Sequence, residues 1–352
     1  MTGSQPVCRD RLTYSPLARR QHPVLRRQAT PQAPVHGILP RMSNLSHFEA
    51  RRELGRIGFR ASALGIGDLA DRALPLATCV ATVRRAIAAG LNVIDTAPGY
   101  EEGFSEQIVG EAVRGVRDRI FIIDKIDDLT APVSPQIDAS LQRLRLDAVD
   151  AFVFHGLSSM DTFRQLVQPG GGFDQLAGCI QAGKVRFRGI SSHNPDVLQA
   201  AISAGLCDLV MFAVGPFVDP RYIAEILPLA RSHGVGTVCF KTFGAGKLLG
   251  DSMGYNQPLQ QRPRGKLSSG GTDDTQALLP RLSVQECLHY ALTLDPDVTL
   301  LGLSYPNEQD QAFAAARTFV PLSESQMDDI RRRAVEARRE KGPCWWNPDP
   351  EA

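Results

Sequence analysis

Asn92-Val93-Ile94-Asp95, with Tyr100 five residues on, is the first of three stretches that decide the fold; the others are Ile120-Phe121-Ile122-Ile123-Asp124-Lys125 and Ala151-Phe152-Val153-Phe154-His155. Each is a continuous apolar run that ends at a reactive side chain. A strand buried on both faces reads as such a run, and parallel α/β folds place their chemistry at the C-terminal ends of those strands. Asp95, Tyr100, Lys125 and His155 are therefore expected to meet in one place.

Outward from these runs, strand and helix alternate. Strands are expected at 62–67, 92–97, 120–126, 149–155, 185–191, 208–214, 235–241 and 298–304. Helices are expected at 76–89, 105–114, 135–144, 173–182, 195–204, 219–233, 283–294 and 306–318. Gly90, Gly183, Gly205 and Gly234 stand where a residue past a helix C-cap belongs. Asp219-Pro220 reads as a cap followed by proline at the first helical position. Eight strands alternating with helices select an α/β fold, a closed (β/α)8 TIM barrel, with right-handed crossovers. No G-x-G-x-x-G follows the first strand, which weakens the open dinucleotide-binding sheet.

The chain has 352 residues, with 39 basic and 38 acidic side chains. Such a balance carries no nucleic-acid or anionic-membrane footprint, and no apolar run is long enough to span a bilayer. Seven scattered cysteines without a C-x-x-C pair favour reduced thiols in a cytoplasmic compartment. Seven histidines show no H-E-x-x-H or H-x-H spacing, so no metal is expected.

Three domains of sequence are expected. Residues 1–48 hold seven arginines, several prolines and Asp10 as the one acid, a composition that cannot bury a core and reads as a disordered arm. A transit peptide and a translation start at Met42 are the other readings of that arm. Residues 49–322 form the barrel, and 323–352 add a helix over Ser323–Arg339 and a tail with Trp345 and Trp346. Residues 245–281, rich in Gly, Ser, Pro and Gln, form a connection too long to be ordinary in a compact domain.

From about Leu54 to about Phe319 the chain resembles the aldo-keto reductases. The resemblance rests on Leu54-Gly55-Arg56-Ile57-Gly58-Phe59, on Asp95-Thr96-Ala97-Pro98-Gly99-Tyr100 with Ser105-Glu106, on Lys125 and His155, and on Val185 to His193. It implies hydride transfer between a nicotinamide cofactor and a carbonyl, an aldehyde, ketone or sugar. Tyr100 would be the proton donor, Lys125 the cation that makes it acidic, Asp95 the partner that holds Lys125, and His155 the residue that binds the carbonyl oxygen. The chemistry agrees: a phenol with an ordinary pKa of about 10 is a poor acid near neutrality unless a cation favours its phenolate. Singly, each residue has a plainer use. Asp95 could cap a turn, Tyr100 could pack, Lys125 could be a surface partner of Asp127 and Asp128, and His155 could be a satisfied strand-end histidine.

The resemblance also implies where a cofactor lies. Ser191 and Ser192 would hold the carboxamide, although relatives commonly have Asn at Ser192, with His193 or Asn194 as substitutes. Met211 and Val214 replace the usual Gln and ring-stacking Tyr, and read as core. Lys241, Gly244, Gly246 and Lys247 would face the pyrophosphate, and Gly302, Ser304, Glu308 and Gln309 the adenosine end. Relatives that use NADPH often carry Lys and Arg where this chain has Leu303 and Gln309, which argues for NAD(H). Family habit, and Lys247, Arg262 or Arg264, pull the balance slightly to NADP(H). Asp68, Phe217 and the 245–281 loop would line the substrate pocket. A sugar or alcohol dehydrogenase, or a non-catalytic nicotinamide-binding regulatory subunit, would share these motifs. The expected partner is a small molecule, not nucleic acid or membrane, and the expected state is a monomer.

Overall fold

The computed structural model describes residues 47–67, 71–250, 279–341, 344 and 346. All but the last two residues of the arm expected at 1–48 lie outside these, as do Asp68, Arg262, Arg264, Trp345 and residues 251–278 of the long connection.

A short antiparallel hairpin, β1 (Ala50–Glu53) and β2 (Arg60–Ser62), precedes the barrel. Eight parallel strands then close in the order β10-β3-β4-β5-β6-β7-β8-β9. They are β3 (Leu64–Gly67), β4 (Val93–Asp95), β5 (Phe121–Ile126), β6 (Val149–Phe154), β7 (Val185–Ser191), β8 (Leu209–Ala213), β9 (Gly236–Phe240) and β10 (Val298–Leu301). The helices are α1 (Leu76–Ala88), α2 (Phe104–Ala112), α3 (Val133–Leu144), α4 (Met160–Leu166), α5 (Gly172–Gln181), α6 (Pro195–Ser203), α7 (Leu227–Ser232), α8 (Val284–Leu294), α9 (Pro306–Arg317) and the added α10 (Glu324–Arg338). The expected (β/α)8 barrel is the fold found.

Two apolar layers result from the period-2 alternation of strand side chains. Val93, Phe121, Ile123, Ala151, Val153, Leu209, Met211, Val238, Val298 and Leu300 fill the barrel interior. The alternate residues, such as Ile94, Ile122, Phe152, Ile190, Val210 and Phe212, pack against the surrounding helices. Leu54 and Ala61 of the hairpin join the inner layer, and Phe59 lies 5.2 Å from the Phe121 ring, so the hairpin plugs the N-terminal end of the barrel. Gly55 makes that seal: its φ is +50°, and a Cβ there would stand 2.3 Å from the Gly236 amide.

The four glycines expected past helix ends all have positive φ, from 63° at Gly234 to 97° at Gly90. The helix expected at 219–233 differs. Asp219 Oδ1 accepts from the Arg221 amide at 2.9 Å, and a wide π turn over Tyr222–Ile226 precedes α7. Pro228 supplies no amide and its ring crowds the carbonyl four residues back, which is a cause of such a widened turn. Neither β1–β2 nor α4 was expected from the sequence.

Helix α2 meets the end of α3 at Gly110, where a Cβ would fall 2.0 Å from the Leu144 carbonyl oxygen. Gly110→Ala is expected to destabilise the protein by about 1–3 kcal/mol through overpacking. Denaturant unfolding checks this; an unchanged midpoint would mean the two helices can separate freely.

Candidate active site

Strand alternation explains how the site forms. Val93 and Asp95 share one face of β4, Phe121, Ile123 and Lys125 share one face of β5, and Ala151 and Val153 point inward ahead of His155 at the end of β6. Each inward face is apolar until its last position at the mouth. There it carries Asp95, Lys125 and His155 together.

Lys125 Nζ donates to both Asp95 carboxylate oxygens at 2.7 Å and to the Thr96 carbonyl at 2.7 Å. Both side chains are buried, 2% and 3% exposed. Burial alone would pull the lysine pKa down, but the Asp95 carboxylate and the Tyr100 hydroxyl outweigh it and hold the ammonium above its ordinary range. Lys125 is therefore a fixed cation, not a surface lysine. Its Nζ lies 4.3 Å from the centre of the Tyr100 ring. Tyr100 arrives from the loop after β4, where its amide donates to Ala97 at 3.1 Å. Glu101, Glu102 and Gly103 follow in left-handed conformation, with φ of 51°, 55° and 82°, and turn the chain into α2. The Tyr100 and His155 rings meet edge to face, 5.9 Å apart.

Sequence reasoning missed Asp127. Its Oδ1 lies 2.6 Å from His155 Nδ1, and its Oδ2 accepts from the Gly99 amide at 2.6 Å. Burial pushes the Asp127 carboxyl up, but the hydrogen bond and charge of His155, the Gly99 amide and Lys125 bring it below its ordinary value. The signal was present: Asp127 stands two residues after Lys125, hence on the same face. His193 is a second imidazole at the mouth, edge to face with Phe240 at 5.5 Å. Burial first, then Lys241 and His155, push its pKa down to about 3, so it is neutral.

The positions expected to hold a cofactor divide. Ser191 ends β7 on its inward face and is buried. Gly302 is exposed just past β10, and Ser304 is half-buried ahead of α9. Lys241, with φ of +67°, holds its ammonium 5.9 Å from the Phe240 ring and 5.6 Å from the Trp346 ring. That contact places Trp346 on the mouth side of β9. The remaining positions make contacts within the protein. Ser192 Oγ donates to the Asn194 carbonyl and accepts the Asn194 amide, closing a turn. Asn194 caps α6 through its side chain, accepting from Asp196 at 2.9 Å. Lys247 is buried with its ammonium on the Lys341 carbonyl, so it ties α10 to the loop after β9. Glu308 completes the capping box of α9, and Gln309 is buried between Thr82 and Arg85 of α1. The Gly244 and Gly246 amides donate within their own turn, to Lys241 and Phe243. Met211 packs inside the barrel and Val214 against the helices. Phe217 is half-buried under Arg338, whose guanidinium lies 5.1 Å from its ring.

Residues 56–334 match the model of the aldo/keto reductase family. The chain belongs to that family. It is 28% identical over 219 residues to an NADH-specific methylglyoxal reductase of Escherichia coli, a match covering 56% of this chain and 66% of the relative. It is 30% identical over 216 residues to L-galactose dehydrogenase of Arabidopsis thaliana, again covering 56% and 66%. The chain thus spans just under two thirds of these two relatives. Among solved structures, an aldo-keto reductase of Bacillus halodurans in its holo form aligns with a TM-score of 0.62 at 22% identity, covering 82% of this chain and 96% of the other. One from Klebsiella pneumoniae in complex with NADPH aligns with a TM-score of 0.58 at 20% identity, covering 82% and 93%. These likenesses show the shared fold. Among the described residues no helix is long and apolar enough to cross a membrane, and no cluster of His, Cys, Asp and Glu could hold a metal ion.

Proposed function

We propose that this aldo/keto reductase is a nicotinamide-dependent oxidoreductase that interconverts a carbonyl and an alcohol, with Tyr100 as the residue that passes the proton. The observation that carries the reading is the Lys125 ammonium, fixed on Asp95 and 4.3 Å from the Tyr100 ring. A buried cation beside a phenol favours the phenolate, and so makes Tyr100 able to give its proton to an alkoxide near neutrality. His155, edge-on to Tyr100, would contact the same substrate oxygen. Near it at the mouth, His193 stands edge to face with Phe240, and the Lys241 ammonium lies over the Phe240 and Trp346 rings, a mixed aromatic and polar surround.

None of these side chains can deliver a hydride, so the donor set fits a nicotinamide cofactor, which supplies the hydride when bound. Ser191 at the end of β7 and the segment 302–304 just past β10 would hold it. Ser192, Lys247, Glu308 and Gln309 are engaged within the protein and are not proposed as contacts. Lys241 stays a candidate for phosphate.

This distribution bears on cofactor choice. Leu303 is buried and Gln309 is bound to Thr82, so neither position offers a cation to a 2′-phosphate, which favours charge-assisted donors. Family habit still places NADP(H) slightly ahead of NAD(H). The expected result of a fluorescence titration is that NADPH and NADH bind within about tenfold of each other, about 1.4 kcal/mol. A preference for NADPH above 100-fold would contradict this and require a phosphate grip elsewhere; no binding of either would remove the reading.

A further inference from the structure

We propose that Asp127 is a positioning residue that sets the proton on His155, so that the imidazole shows the barrel mouth a bare Nε2 when neutral and an Nε2–H only when cationic. The meaning of this for turnover rests on the function proposed above; the proton assignment does not.

The geometry leaves little freedom. Asp127 Oδ1 lies 2.6 Å from His155 Nδ1, and its other oxygen accepts from Gly99 at 2.6 Å. A carboxylate only accepts, so Nδ1 must carry the proton of that bond. A neutral imidazole has a single N–H, which leaves Nε2 as an acceptor. Second-sphere carboxylates commonly fix histidine tautomers in this way. The side chains are 32% and 29% exposed, so both sit at the rim where the ring can exchange protons with solvent. The same carboxylate holds Gly99, next to Tyr100, and so locks the two ring-bearing segments to each other.

Other charged or titratable groups that face this pair are Lys125 and Tyr100 beneath it, Arg143 of α3, whose charge Asp127 reaches, and His193 across the mouth. Lys125 and Arg143 are held cationic. In carbonyl reduction a donor to the substrate oxygen requires the imidazolium. Because the neutral ring held by Asp127 offers no Nε2–H, the contribution of His155 to reduction would fall as pH rises.

Two-dimensional proton–nitrogen NMR of the full-length, cofactor-free protein, uniformly labelled with 15N, tests the assignment. The His155 resonances are identified by their loss in His155→Gln. The expected result above neutral pH is a proton on Nδ1 in the wild type and a mixture of tautomers in Asp127→Asn, since an amide can donate to Nδ1 as well as accept from it. A proton on Nε2 in the wild type, or an unchanged tautomer in Asp127→Asn, overturns the proposal. The wild-type spectrum decides even if the variant fails to fold. With a turned-over carbonyl, the alkaline fall in kcat for reduction should move in Asp127→Asn with little change in KM, and Asp127→Glu should restore part of it. A profile identical to wild type would also overturn it. Absence of any carbonyl turnover in a protein showing the Nδ1 proton would count against the function instead.

Discussion

Tyr100→Phe is expected to lower carbonyl turnover by about 10²–10⁴-fold while leaving cofactor affinity within about twofold, the range for loss of a positioned general acid. The hydroxyl acts chiefly when charge develops on the substrate oxygen, so its loss falls on kcat and kcat/KM together. The ring itself should stay in place. It meets the His155 ring at 5.9 Å and lies beneath Lys125 Nζ at 4.3 Å, contacts that phenylalanine keeps. Steady-state rates and a cofactor titration on the same preparation separate the two effects. Wild-type turnover in this variant would sink the assignment of Tyr100.

Lys125→Met carries the second large effect, and here stability falls along with activity. The lysine is the buried partner of Asp95, with both carboxylate oxygens at 2.7 Å. Removing one member of a buried pair strands the other, at a cost of about 3–5 kcal/mol. The double variant Asp95→Asn with Lys125→Met removes the stranded charge and is expected to regain a good part of that stability. It should not regain turnover, because the cation beside Tyr100 is still missing. Denaturant melts and rate assays on the three proteins test this. A double variant as unstable as the single one would show that the pair matters through packing, not charge.

The features legible in the sequence were those governed by strand periodicity. Asp95, Lys125 and His155 each follow an apolar run by an even step, so their inward direction at the mouth was fixed by the same alternation that built the core. Asp127 obeys that rule too, but was passed over because Lys125 offered it a nearer explanation. Beyond the strand ends the rule lapses. Ser192, Lys247, Glu308 and Gln309 lie in turns or first helical turns, where direction depends on local hydrogen bonds that no period encodes. Each closes a turn, ties down a helix or caps one. The hairpin β1–β2 escaped notice because its strands are three to four residues long, rich in arginine and separated by Gly55 and Gly58.

The most direct measurement is the absorbance of reduced cofactor during incubation of the wild-type protein with NADPH or NADH and a panel of aldehydes, ketones and sugars. Carbonyl-dependent oxidation of the cofactor, absent in Tyr100→Phe, is the result expected from the Lys125–Tyr100 geometry. Cofactor binding with no turnover in either direction across the panel would contradict it, and would leave a nicotinamide-binding barrel without the proposed chemistry.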